Sequence, residues 1–147
     1  MKMRILVING PNLNQLSRRD HSVYGTVTLE SIERRITTRT SEAGVDVTFF
    51  QSNSEGTITD FLQAESETAS AVIINPGALT HYGLSLREAL VDTNLPVIEV
   101  HLSNIHAREE WRRTSVVAPI AVAQISGLGW QGYIAAVDFL LTRTQEA

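Results

Sequence analysis

The chain has no cysteine and a single lysine, Lys2, among its 147 residues. Without cysteine there is no disulfide framework, no thiolate nucleophile and no zinc site built on sulfur. With one lysine, at the second residue, the body of the chain offers no amine for imine chemistry. The four histidines, His21, His81, His101 and His106, lack the His-Glu-x-x-His spacing of a zinc enzyme. Ser85 lacks the Gly-x-Ser-x-Gly elbow. Charge of one sign is also scarce. Twelve basic and 16 acidic residues leave a net charge of -4, and the basic ones are scattered or sit beside acids, as in Arg108-Glu109-Glu110. No stripe suited to a phosphate backbone is present, so nucleic acid is not an expected partner. The apolar run Ile5 to Ile8 is too short for a signal peptide or a membrane span, which leads us to expect a cytoplasmic protein. Chemistry has to come from oxygen and nitrogen side chains, with no metal and no organic cofactor expected.

What is present is a regular alternation of apolar periods. At 147 residues and 43% hydrophobic, the chain can bury one sizeable core, and a single domain over 1–147 is expected. Met3 to Ile8 reads as a buried first strand, ended by Asn9-Gly10-Pro11. Leu29, Ile32, Ile36 and Ala43 recur at helical spacing, with Thr28 as N-cap and Gly44 as the stop. Val45, Val47 and Phe49 alternate as a strand, and Ile58, Phe61, Leu62 and Ala69 return to helical spacing. Ala71 to Ile74 and Val97 to Val100 are further β-branched runs, separated by a helix carrying Leu86, Ala89 and Leu90. Ile120 to Ile125 gives a fifth strand, and Tyr133, Val137, Leu140 and Leu141 a closing helix. Five β-α units predict an α/β, three-layer sandwich with a five-stranded parallel sheet in flavodoxin-like order.

Each predicted strand is followed by a polar residue: Asn9, Gln51, Asn75, His101 and Ser126. In open α/β sheets ligands bind at that carboxyl edge, where strand order reverses. In a flavodoxin-like order the reversal lies between the first and third strands, so the loops after Asn9 and Asn75 should face one another across a cleft.

Three segments at this edge could carry chemistry. The connection from Asn9 to Gly25 is long for a β-α loop, as lids often are, and holds Asn12, Arg18, Arg19 and Tyr24. A tyrosine hydroxyl can simply cap a neighbour, but nearby arginines would favour a phenolate and hence a base. In Glu99-Val100-His101 the two outer side chains point to one face of a strand. That pair is either a satisfied ion pair or an imidazole oriented as a general acid. His106 to Arg113 reads as a short helix whose N-terminus could meet a carboxylate. Asn75-Pro76-Gly77-Ala78-Leu79-Thr80-His81 is either an ordinary capped turn or a loop that binds hydroxyls. The run Gly127-Leu128-Gly129-Trp130-Gln131-Gly132 matches a dinucleotide fingerprint, yet no second β-α-β unit or ribose-binding acid can follow it. Its glycines are expected to let the last helix pack closely on the sheet.

Gly10-Pro11-Asn12-Leu13-Asn14, Arg19 with Tyr24-Gly25, Gln51-Ser52-Asn53, Asn75-Pro76-Gly77 with Thr80-His81, Glu99-Val100-His101 and His106-Ala107-Arg108-Glu109, taken in order, closely resemble the type II 3-dehydroquinate dehydratases. The resemblance covers essentially the whole chain, including Gly127 to Tyr133. It implies a cofactor-free enzyme that removes water from 3-dehydroquinate by anti elimination through an enolate. It also implies trimers packed into dodecamers. The reaction serves aromatic amino acid biosynthesis through the shikimate pathway or quinate catabolism. By the same resemblance Tyr24 is the base, Arg19 supports its phenolate, Asn12 helps to stabilise the enolate, and His101, oriented by Glu99, is the acid. Asn75, His81 and Arg112 hold substrate hydroxyls, Leu102 and Ser103 receive the carboxylate, and Glu88 reaches a neighbouring subunit's site. The chain departs from the family pattern at Ser17, where glycine is usual, at His21, where proline is, at Tyr82, where a small residue is, at Thr114 and Val116, and at Glu88, where aspartate is.

Two other readings compete. A phosphoacceptor receiver or flavin carrier would share the fold, but a receiver needs acids where Asn9 and Gln51 stand. A dehydratase homologue with altered substrate or lost activity is the second.

Overall fold

The computed structural model describes residues 2–146. Strand β1 (Arg4–Asn9) leads through a 3-10 turn (Leu13–Arg18) and a one-turn helix α1 (His21–Tyr24) into helix α2 (Leu29–Glu42). Strand β2 (Asp46–Gln51), helix α3 (Glu55–Glu65), strand β3 (Ala71–Asn75), helix α4 (Leu84–Asp92), strand β4 (Val97–His101), strand β5 (Ala123–Ser126) and helix α5 (Gln131–Glu146) follow. The five strands form one parallel sheet in the order β2-β1-β3-β4-β5, the flavodoxin-like order expected.

The reason the central strands read as unbroken apolar runs is that both faces of the sheet are covered. Ile5, Val7, Ile73, Ile98 and Val100 turn to one side and pack on Ile32 and Ile36 of α2 and on Val137 and Leu140 of α5. Leu6, Ile8, Val72, Ile74 and Val97 turn to the other side, onto Ile58 and Leu62 of α3 and Leu86 and Leu90 of α4. Each such fully buried aliphatic side chain contributes about 1.5–3 kcal/mol. Helix α2 starts where the sequence indicates, with a Thr28–Ser31 capping box.

Two boundaries differ from expectation. Strand β5 begins at Ala123, because Ala118–Ile120 forms a 3-10 turn containing Pro119, which has no N–H for a ladder. Ile120 is apolar because it packs beneath the sheet. Helix α3 ends at Glu65, and Ala69 follows a separate turn.

The glycines beyond the strands decide how closely the loops approach. A Cβ on Gly132 would lie 3.2 Å from Val100 and 3.3 Å from Ile125, so the first turn of α5 sits directly on the sheet. At the switch point, Asn9 and Asn75 are register partners, and Gly10 donates to the Asn75 carbonyl at 2.8 Å. A Cβ on Gly10 would stand 2.4 Å from the backbone oxygen of Pro76. Gly10→Ala must therefore push the β1 and β3 loops apart. We expect it to cost about 1–3 kcal/mol of stability, read as a lower urea midpoint at unchanged slope.

Candidate active site

The cleft opens at the carboxyl edge of β1, β3 and β4, where Asn12, Arg19, Tyr24, Asn75, His81, His101, Leu102, Ser103 and Arg112 all line it. The loop after β1 forms its outer wall. Leu13 and Leu16 anchor that loop by burying their side chains in the core, and Asn12 adopts a left-handed backbone with φ of 71°. The loop is thus helical and tethered at its first turn rather than irregular.

Tyr24 ends the one-turn helix α1, whose N-cap Asp20 accepts from the Ser22 backbone N–H. Its hydroxyl receives the Arg19 Nη2 at 2.5 Å and the Arg108 Nη1 at 2.9 Å. The Arg19 guanidinium also lies 3.9 Å from the ring centroid. Two cations therefore stand where the negative charge of a phenolate would form. Arg18, the other arginine near Tyr24 in sequence, stays exposed; the second cation is Arg108, 84 residues away.

Arg108 reaches Tyr24 because the expected helix from His106 to Arg113 is broken. The segment instead makes two 3-10 turns, Ile105–Ala107 and Glu110–Arg113, with extended backbone at Arg108 between them. Asn104 caps the first turn by accepting from the His106 N–H. Arg108 also donates to the Ser103 hydroxyl at 3.2 Å.

Below the cleft floor, Glu99 is fully buried. A lone buried carboxylate costs several kcal/mol, so its partners matter. His101 Nε2 lies 2.5 Å from Oε2, Ser115 Oγ donates at 2.9 and 3.0 Å, and Thr80 Oγ1 donates as well. The Ser115 oxygen already accepts from the Val117 and Ala118 N–H groups at 3.1 and 2.9 Å, which turns its hydrogen toward Glu99. Burial works to raise the Glu99 carboxyl, and the hydrogen bond and charge of His101 with the Thr80 and Ser115 donors outweigh it, leaving it below the ordinary range. A carboxylate only accepts, so His101 carries its hydrogen on Nε2 toward Glu99, and Nδ1 is the nitrogen left for the cleft.

On the opposite rim, His81 Nδ1 lies 2.7 Å from the Thr114 carbonyl oxygen. A carbonyl cannot donate, so Nδ1 carries a hydrogen toward it. The His81 ring meets Trp111 edge-on at 5.2 Å. Arg112 is paired with Glu109 and lies over the Trp111 ring.

The sequence profile described as Dehydroquinase class II matches residues 3–141. The chain belongs to the class II dehydroquinases. It is 57% identical over 144 residues to the 3-dehydroquinate dehydratase of Roseiflexus castenholzii, covering 97% of this chain and 92% of that one. Crystal structures of type II dehydroquinases from Butyrivibrio crossotus and Propionibacterium acnes match with TM-scores of 0.92 and 0.91, at 42% and 41% identity. They cover 95% and 97% of this chain and 97% and 99% of theirs. The chain, a member of this hydro-lyase family, places nine of the eleven residues singled out in its sequence around one cleft. Glu99 lies beneath the cleft, bonded to His101. Glu88 is exposed on α4 and lines no part of it. Arg108, Thr80 and Ser115 are the additions that sequence reading did not single out. Arg108 and Thr80 fell inside family motifs, but only tertiary contact shows what they touch. Among the described residues no group of three or more His, Asp or Glu side chains is arranged to hold a metal ion. No helix among them is long and apolar enough to cross a membrane.

Because the folded state holds Glu99 below the ordinary carboxyl range, it stabilises the fold above the unfolded pKa of 4.5, and that contribution is lost as pH falls through the folded value. Glu99→Gln turns an amide N–H against donors and costs about 1–3 kcal/mol at neutral pH. The difference in stability between the two proteins should shrink on acidification below pH 4.5, measured by chemical denaturation across that range.

Proposed function

We propose that this chain is a 3-dehydroquinate dehydratase that acts without cofactor, by anti elimination through an enolate. The observation that carries the reading is the double arginine contact on the Tyr24 hydroxyl, in a cleft that also contains the Glu99-paired His101. Base and acid are separate groups, each with its charge compensated by neighbours, as an elimination in two proton steps requires. The relatives named 3-dehydroquinate dehydratase support the choice of substrate.

In this mechanism the Tyr24 phenolate removes the proton alpha to the ketone, and the electrons move into the enolate. Arg19 and Arg108 compensate the phenolate before transfer, and Asn12 helps to hold the enolate oxygen. The enolate then collapses to the conjugated enone as the C–O bond breaks. His101 enters this step as an imidazolium that Glu99 stabilises through Nε2, gives its Nδ1 proton to the departing hydroxyl, which leaves as water, and is left as a neutral imidazole with its Nε2 hydrogen still on Glu99. His81 Nε2, Asn75 and Arg112 bind ring hydroxyls, and Leu102 and Ser103 receive the carboxylate. Pure protein mixed with 3-dehydroquinate should generate the ultraviolet absorbance of a conjugated enone. Tyr24→Phe and His101→Ala should each lower turnover about 100-fold or more without unfolding the chain; near-normal turnover in either would reassign that role.

We further propose that the single domain assembles into trimers within a dodecamer, with Glu88 at the subunit contact. Leu84, Glu88 and Val91 share one face of α4, and Leu84 and Val91 are 61% and 50% exposed with Tyr82 beside them at 62%. Such a stripe on an isolated chain asks for a cover. Burial of Glu88 against a neighbour's cation would make its loss expensive, about 3–5 kcal/mol against about 1 or less for an exposed pair. Glu88→Ala should therefore yield smaller species by light scattering and lower turnover, and Glu88→Asp should keep both. A fully active Glu88→Ala oligomer of native size would place Glu88 in solvent.

A further inference from the structure

Tyr133 is fully buried in the first turn of α5, and its ring belongs to the same apolar cluster as Ile5, Val7 and Ile73. A phenylalanine would fill that space without burying a hydroxyl. The hydroxyl is nevertheless placed between the two asparagines that end the central strands. It donates to Asn9 Oδ1 at 2.6 Å and accepts from Asn75 Nδ2 at 3.1 Å. Asn9 and Asn75 are themselves buried register partners at the switch point. Asn75 Oδ1 accepts from the Gly77 N–H at 3.1 Å.

These contacts determine which way the Asn75 amide faces. Asn9 Oδ1 can only accept, so the phenol hydrogen points there, and the phenol oxygen can serve Asn75 only as an acceptor. Asn75 must then present Nδ2 to Tyr133 and Oδ1 to Gly77, and the reverse orientation would set like groups against each other at both ends. One N–H and one lone pair of the amide remain uncommitted on a residue that lines the cleft. A hydroxyl, which both donates and accepts, is the ligand group that matches such a pair. Burial, partly opposed by the hydrogen bond from Asn75, pushes the Tyr133 phenol well above its ordinary range, so it stays a neutral donor at any working pH.

We infer that Tyr133 is a positioning residue: it fixes the Asn75 amide in the orientation that accepts a substrate hydroxyl, and so acts on substrate binding through Asn75 without touching substrate. The inference rests on the dehydratase reading for the identity of the substrate. Held in this way Asn75 binds ground and transition states alike, so the effect belongs in KM. Tyr133→Phe should raise KM for 3-dehydroquinate about tenfold, with kcat within about twofold and the KM ratio constant between about pH 6 and 9, because no group in the relay titrates there. In an Asn75→Ala background the same substitution should leave KM unmoved. Should Tyr133→Phe not fold, Asn9→Ala frees the phenol hydrogen to turn toward Asn75 and should show the same dependence on Asn75. A wild-type chain that leaves 3-dehydroquinate unchanged would overturn the dehydratase reading itself. An active wild type in which the Tyr133 and Asn75 effects on KM simply add, or in which Tyr133→Phe lowers only kcat, would overturn the positioning role alone.

Discussion

Everything at the carboxyl edge of this sheet depends on how closely β1 and β3 continue past their last paired residues. Gly10 sits against the Pro76 backbone, and a Cβ on Gly77 would lie 2.9 Å from the Pro11 oxygen. Gly77 also has a φ of +60°, which a side chain would strain. Two loops this close leave Asn12 on one and Ala78 and His81 on the other lining a shared cleft. The switch point of a doubly wound sheet supplies the gap, and the two glycines set its width.

Within that gap the dominant cost is electrostatic. Glu99 and His101 are drawn out of water and paired with one another. Glu99 receives donors from three elements that meet only in the folded chain: β4 through His101, the turn after β3 through Thr80, and the segment before β5 through Ser115. Arg19 and Arg108 converge on Tyr24 from opposite walls. The proposed proton transfers to and from substrate rest on these two pairings, His101 with Glu99 on a strand and Tyr24 with two guanidinium groups on the loop after β1.

The apolar periods made most of the fold legible. Central strands are buried on both faces and so appear as unbroken aliphatic runs, while helices show one stripe and a cap, as at Thr28. The misreadings have a common cause. Ile120 is apolar because it packs beneath the sheet, not because it lies in a strand, and His106 to Arg113 carries helix-compatible residues but is pulled apart so that Arg108 can reach Tyr24. Local preference yields where a tertiary contact is worth more.

What the amino-acid sequence determined by itself was the set of chemical groups, their order along the chain and the strand ends that would carry them. Asn9, Gln51, Asn75, His101 and Ser126 each close a strand, and the motifs around them were sufficient to indicate the family. Partners distant along the chain were decided only by tertiary structure. Arg108 with Tyr24, Ser115 with Glu99 and Tyr133 with Asn9 and Asn75 are separated by 84, 16, 124 and 58 residues respectively. No periodicity encodes such pairs. A hydrogen bond depends on position to a fraction of an ångström, and that position exists only once the helices have packed against the sheet.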